Sequence, residues 1–208
     1  MGDDKLWLDV AGQPLIAWTL NAAAAARCFD QVVVAAPASR WRAIVELAGA
    51  SGLPVPETVE GGARRQESVA AALQRCAGSK WVTVHDAARP LAPPDLFRTV
   101  LGAARDHGAA TCGVPCVDTV KQIGDGLVTA TLDRTTLIAT QTPQAFATNV
   151  LLRAHLNARE HGIQGNDDAY LVERLGEPVA VVPGDPRNVK VTGPLDLILV
   201  RGLLEGQA

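Results

Sequence analysis

Residues 81–114 read WVTVHDAARPLAPPDLFRTVLGAARDHGAATCGV. Trp81 to His85 is a short β-prone run that stops abruptly in a polar turn. Pro93 to His107 carries helical periodicity and is closed by Gly108, a normal stop signal; Ala109 to Val114 is β-prone again. Strand, helix and strand in this order imply parallel strands joined by a crossover helix.

The same rhythm extends toward the N-terminus. Pro14 to Arg27 predicts a helix, Gln31 to Ala36 a buried strand, Arg40 to Ala48 a helix, Val55 to Val59 a short strand, and Gln66 to Cys76 a helix. Toward the C-terminus the rhythm breaks. Thr119 to Gln122 and Leu127 to Thr131 flank Ile123-Gly124-Asp125-Gly126, and Asp-Gly between two β-prone runs signals a hairpin. A projecting hairpin needs something to pack on, and a second subunit is the natural candidate. Helices follow over Asn149 to His161 and Asp167 to Leu175, the latter capped by Asn166. Val179 to Val182 reads as a strand, Asn188 to Val191 as short and extended, and Pro194 to Leu204 as a closing helix. The expected fold is α/β: a Rossmann-like, mainly parallel sheet with helices on both faces. It is read as a single domain over residues 1–208, with 117–135 as a β-arm.

With 208 residues and 48% apolar composition, the chain is long enough to bury a real core. A net charge of −3 supplies no general basic field for nucleic acid. No apolar run reaches membrane-spanning length, and Met1-Gly2-Asp3-Asp4 has no signal-peptide pattern. Cys28, Cys76, Cys112 and Cys116 lack zinc spacing and read as buried free thiols, pointing to a reducing cytoplasm.

In open parallel sheets ligands bind beyond the carboxyl ends of strands, so the residues after each strand are the candidates. After Val84 comes His85-Asp86-Ala87-Ala88-Arg89-Pro90. A carboxylate there suits a divalent metal carrying phosphates, and an arginine three residues on suits a phosphate. After Val59 comes Gly61-Gly62-Ala63-Arg64-Arg65 and then a helix with Ser68 in its first turn. Glycines there let backbone N–H groups approach an anion or a base edge. Asp118-Thr119-Val120-Lys121 and Asp133-Arg134 bracket the hairpin, and Asn188-Val189-Lys190-Val191-Thr192 places a lysine at the end of a short apolar run. Each has a plain alternative: a surface ion pair, an ordinary Gly-Gly turn, a solvated arm, a lone lysine. Together, however, Lys5, Arg65, Arg89, Arg134 and Lys190 set cations at element ends of an acidic chain. Nucleotidyl transfer needs such a set, because it brings two anions together and relies on positioning and charge stabilisation.

These stretches, with Gln141-Thr142-Pro143-Gln144-Ala145-Phe146 and Asp167-Asp168-Ala169, resemble in order the 2-C-methyl-D-erythritol 4-phosphate cytidylyltransferase family of the non-mevalonate isoprenoid pathway. The resemblance covers about Lys5 to the C-terminus. It implies a cytoplasmic homodimer that uses CTP and Mg²⁺. The 4-phosphate oxygen of methylerythritol phosphate attacks the α-phosphorus of CTP, and pyrophosphate leaves. It implies nucleotide contacts from Lys5, Gly61, Gly62, Arg65, Ser68, Asp86 and Ala87. Asp86 would lie at the metal, and Lys5, Arg134 and Lys190 would act as catalytic cations. The polyol phosphate pocket would hold Asp86, Arg89, Thr142 and Lys190, with Thr119 and Arg134 reaching in from the partner's arm. Arg187 stands where the family often has an acidic or small residue. The family's first strand and glycine-rich loop have no counterpart before Lys5; the expectation is a start upstream of Met1 and a sheet lacking its central member. Two rivals are carried: a ribitol phosphate cytidylyltransferase, and a non-catalytic dimeric protein without the triphosphate loop.

Overall fold

In the computed structural model, which describes residues 3–206, a 3-10 turn at Asp3–Trp7 leads into a small hairpin of β1 (Asp9–Val10) and β2 (Gln13–Pro14). There follow α1 (Leu15–Ala26), β3 (Val33–Ala35), α2 (Trp41–Ser51), β4 (Glu57–Val59), α3 (Arg65–Arg75), β5 (Trp81–Val84), α4 (Pro94–His107) and β6 (Ala109–Pro115). The arm is β7 (Lys121–Gly124) and β8 (Leu127–Thr131). Then come β9 (Ile138–Ala147), α5 (Thr148–Glu160), α6 (Asp168–Glu173), β10 (Ala180–Pro183) and α7 (Pro194–Glu205). Met1 and Gly2, on which the expected upstream start turns, lie outside the described residues.

Four strands form one sheet in the order β10-β6-β9-β5. β10 runs parallel to β6, whereas β9 runs antiparallel to both β6 and β5. Strand alternation separates two cores. Ala109 and Phe146 face Leu73, Leu151, Leu171 and Val172 of α3, α5 and α6. Their neighbours Ala110 and Ala145 face Leu96, Val100 and Ala104 of α4. The α/β layering follows the sequence reading. The addition is β9, a ten-residue strand at the centre of this sheet.

β3 and β4 pair in parallel with each other, and neither is hydrogen-bonded to the larger sheet. Between β3 and β5 runs a slot of about 560 Å³, lined by Ile16, Leu20, Val34, Leu73, Val82 and other apolar groups, with Asp86 and Arg65 on its wall. The strands beside it are only half buried.

Other details differ from the sequence reading. The cap of α6 is Asp167, which accepts from the Tyr170 N–H, rather than Asn166; an aspartate one residue nearer the helix reaches the free donor. Asn188 to Val191 forms no strand, because its polar groups are spent on β9 and on the 85–89 loop. Cys112 is buried, with burial pushing its thiol up to about 11, but Cys28, Cys76 and Cys116 are only half buried. No helix among the described residues is long and apolar enough to cross a membrane.

The arm turns at Asp125 (φ 50°) and Gly126 (φ 80°), the positive-φ pair that a tight two-residue hairpin requires. Val117, Ile123, Leu127 and Val128 are each more than 60% exposed on and beside it.

Candidate active site

Three polar side chains of β9 each tie down a different loop. Gln141 donates to the Asp185 carbonyl and accepts from Asp185 N–H and from the Asn188 amide. Thr142 accepts from Asp86 N–H. Gln144, fully buried, accepts from Asp168 N–H and Ala169 N–H at the start of α6 and donates to Asp167. A central strand with polar residues is thus stable because each polar group finds a long-range partner. The loops it holds carry Asp86, Asp168 and Lys190.

Asp86, just past β5, is the focus. Arg65 Nε donates to its Oδ1 at 2.7 Å, Lys190 Nζ lies 2.8 Å from its Oδ2, and Arg89 Nε is 3.9 Å from the same oxygen. Burial pushes the Asp86 carboxyl up, but Arg65 and Lys190 outweigh it and hold the group well below the usual carboxylate range. Arg65 also donates through Nη1 to Asp168 Oδ2 at 2.8 Å. Burial lowers the Arg65 guanidinium, but Asp168 and Asp86 together raise it above its ordinary value. Three cations therefore meet two carboxylates, and the cluster as a whole keeps a positive excess, a field that favours an anion.

Arg89 is placed differently from its expected role as a phosphate ligand. It is 9% exposed, and its Nη1 donates to the Asn188 carbonyl at 2.7 Å. Burial lowers its guanidinium pKa. Its first task is to hold the loop that carries Lys190.

His85 joins these parts. Its Nε2 lies 3.3 Å from the Arg89 carbonyl, which can only accept, so Nε2 carries the proton. The Thr142 hydroxyl, 3.1 Å from Nδ1, then donates to it while accepting from Asp86 N–H. This chain selects a neutral imidazole. Burial, against the opposing pull of Asp86, pushes the ring down to about 4. Below pH of about 6.5 the unfolded chain takes up a proton that the folded chain refuses until about pH 4. Stability from this residue is thus fully present above pH 6.5 and falls by about 2–3 kcal/mol on acidification to pH 4. Urea unfolding at pH 7 and pH 4.5 checks this: the His85→Asn protein should lose less stability between the two pH values than the parent. Equal losses would remove His85 as the cause.

The glycine loop is arranged by Ser68, whose Oγ accepts from Gly62 N–H at 3.0 Å and donates to the Arg64 carbonyl at 3.3 Å. A side chain on Gly62 would strike Glu67 Cβ at 2.3 Å, so the turn admits only glycine. Ser68 also lines the slot, and Ala87 accepts from the Thr19 hydroxyl through its carbonyl. Lys5 lies in the 3-10 turn near Asp196 and is not among the cations paired with Asp86. Thr119 and Arg134 are exposed on the arm, where Arg134 Nη1 donates to the Val117 carbonyl. Arg187 is spent on Asp185 at 2.8 Å.

The sequence reading assigned no role to Asp168, His155, Gln141, Gln144 or Asn188. The two glutamines stand out in the sequence only through the Gln141-Thr142-Pro143-Gln144 motif of the resemblance.

The family model described as IspD, 2-C-methyl-D-erythritol 4-phosphate cytidylyltransferase, matches residues 1–205. The 2-C-methyl-D-erythritol 4-phosphate cytidylyltransferase of Symbiobacterium thermophilum is 45% identical over 100% of this chain and 87% of its own length. The protein of that name from Bacillus mycoides is 40% identical over 99% of this chain and 92% of its own. Among solved structures, the Thermus thermophilus enzyme of that name superposes with a TM-score of 0.80 at 39% identity, covering 97% of this chain and 94% of the other. The 4-diphosphocytidyl-2C-methyl-D-erythritol synthase of Anaerococcus prevotii gives 0.90 at 26% identity, with the same coverage.

Proposed function

Because the chain belongs to the 2-C-methyl-D-erythritol 4-phosphate cytidylyltransferase family, we propose that it transfers CMP from CTP to 2-C-methyl-D-erythritol 4-phosphate and releases pyrophosphate. The observation that carries this reading is the convergence of Arg65, Arg89 and Lys190 on Asp86 just past β5.

A phosphate oxygen of the polyol attacks the α-phosphorus of CTP, and the bond to the bridging oxygen of pyrophosphate breaks. Negative charge grows on the leaving oxygens. Lys190, 38% exposed beside Asp86, is the cation placed to meet that charge. Arg65 is held by two carboxylates and keeps the carboxylate aimed; Arg89 keeps the Lys190 loop in place. Fixed cations of this kind act without reorganising during the reaction.

The donor set fits Mg²⁺ of a particular kind. Among the described residues no group of three or more His, Cys, Asp or Glu side chains could cage a metal. Of the two carboxylates in the cluster, Asp168 is 1% exposed and turned to Arg65 and His155, which leaves Asp86 to offer hard oxygen atoms, and Mg²⁺ is commonly held by one or two carboxylates together with substrate phosphates. When bound, the ion would neutralise phosphate charge, with Asp86 as its protein ligand.

Lys5, Thr119 and Arg134 lie outside this cluster within one chain. The exposed apolar residues of the arm support a homodimer in which Thr119 and Arg134 enter the partner's pocket.

The test is pyrophosphate release from CTP, methylerythritol phosphate and Mg²⁺, using this chain and a form extended at its N-terminus by a strand and glycine-rich loop. Ribitol phosphate serves as the competing acceptor. Turnover with methylerythritol phosphate is expected. No release from either form would reject the assignment, and preference for ribitol phosphate would redirect it.

A further inference from the structure

Behind Asp86 the hydrogen bonds continue away from the slot. Arg65 presents Nε to Asp86 Oδ1 and Nη1 to Asp168 Oδ2, so two carboxylates fix the plane of one guanidinium. Asp168 is 1% exposed. Its other oxygen, Oδ1, accepts from His155 Nε2 at 2.9 Å, and His155 is itself buried on α5. The backbone of Asp168 is pinned by Gln144. An arginine side chain has several free torsions, and an unpinned Arg65 would sample many orientations. One end is held by a carboxylate that His155 and Gln144 prevent from turning.

We propose that Asp168 and His155 are positioning residues for nucleotidyl transfer: they fix Arg65, and through Arg65 they aim Asp86. The inference rests on the reading of Asp86 as the carboxylate that faces the phosphates. Neither residue meets the slot, so neither is catalytic. Their effect is transmitted as orientation, and small misplacements of a reacting group are costly.

Proton NMR of ¹⁵N-labelled protein tests this on the Arg65 Nε–H signal, identified by its loss in Arg65→Lys. In the parent chain this proton should exchange at least about tenfold more slowly than that of the exposed Arg42, since it is donated to the largely buried Asp86 from a guanidinium that Asp168 also holds. His155→Phe keeps the volume and removes the donor; it should speed exchange and lower kcat by about 10- to 100-fold, with little change in KM for CTP. His155→Gln places an amide donor near the position of Nε2 and should restore both readings. Asp168→Asn should behave like His155→Phe. Rapid exchange in the parent chain overturns the proposal, and so does an unchanged Arg65 signal in folded His155→Phe or Asp168→Asn protein. A purely structural role would lower Tm in both His155 variants and leave the Arg65 signal alone. If the parent releases no pyrophosphate, the functional reading fails, but the exchange measurement still decides the role of the pair.

Discussion

Lys190→Ala should lower kcat by about 100- to 1000-fold, the cost of deleting one preorganised charge at a reacting oxyanion. Tm should move by only a few degrees. The two halves of this expectation come from the same geometry. Lys190 is the most exposed of the cations on Asp86, and its ion pair there is worth little to folding, because solvated pairs contribute about 0–1 kcal/mol. Removing it also leaves no buried charge stranded, since Arg65 still neutralises Asp86 at 2.7 Å. In catalysis the balance reverses, because the same ammonium faces charge that appears only as the pyrophosphate leaves. Lys190→Arg retains the charge on a planar group of different reach, so it should recover only part of the rate. Steady-state pyrophosphate release and thermal unfolding on the same preparations provide the check. A large fall in Tm with an unchanged kcat would move Lys190 from the reaction to the scaffold.

Much of this arrangement is legible in the sequence. His85 to Pro90 announced itself as a carboxylate and an arginine at a strand end, and Asp125-Gly126 announced the arm. Both are local signals, in which residue type and neighbours fix the backbone. β9 was not legible. Gln141, Thr142, Pro143 and Gln144 break the alternation that marks a strand, and the groups that make them tolerable lie far along the chain at Asp185, Asn188 and Asp168. Arg89 shows a second limit. Its type and position suggested a phosphate ligand, yet it points inward to the Asn188 carbonyl, and nothing in local spacing records which way a long side chain turns. Asp168 and His155 are hidden for the same reason: their link to Asp86 passes through Arg65, 103 residues from Asp168.

Arg65→Ala should destabilise the protein by about 3–5 kcal/mol, the usual result of removing one partner from a buried ion pair. In a chain of this size that corresponds to a fall in Tm of about 10 °C. The loss is large because Asp168, 1% exposed, is left with His155 as its one side-chain partner among the described residues. Asp86 is less affected, since Lys190 and solvent still reach it. The source of the loss can be isolated. Arg65→Leu combined with Asp168→Asn removes both charges and keeps a polar group for His155, so most of the stability should return. Activity should not return with it, because the carboxylate at the slot would still lack the guanidinium that aims it. Stability and turnover would therefore part company in the double variant, as expected if Arg65 serves Asp168 for folding and Asp86 for chemistry. A loss below about 1 kcal/mol in Arg65→Ala, the range of solvated surface pairs, would mean that water reaches Asp168 and that the two-sided role of Arg65 is wrong.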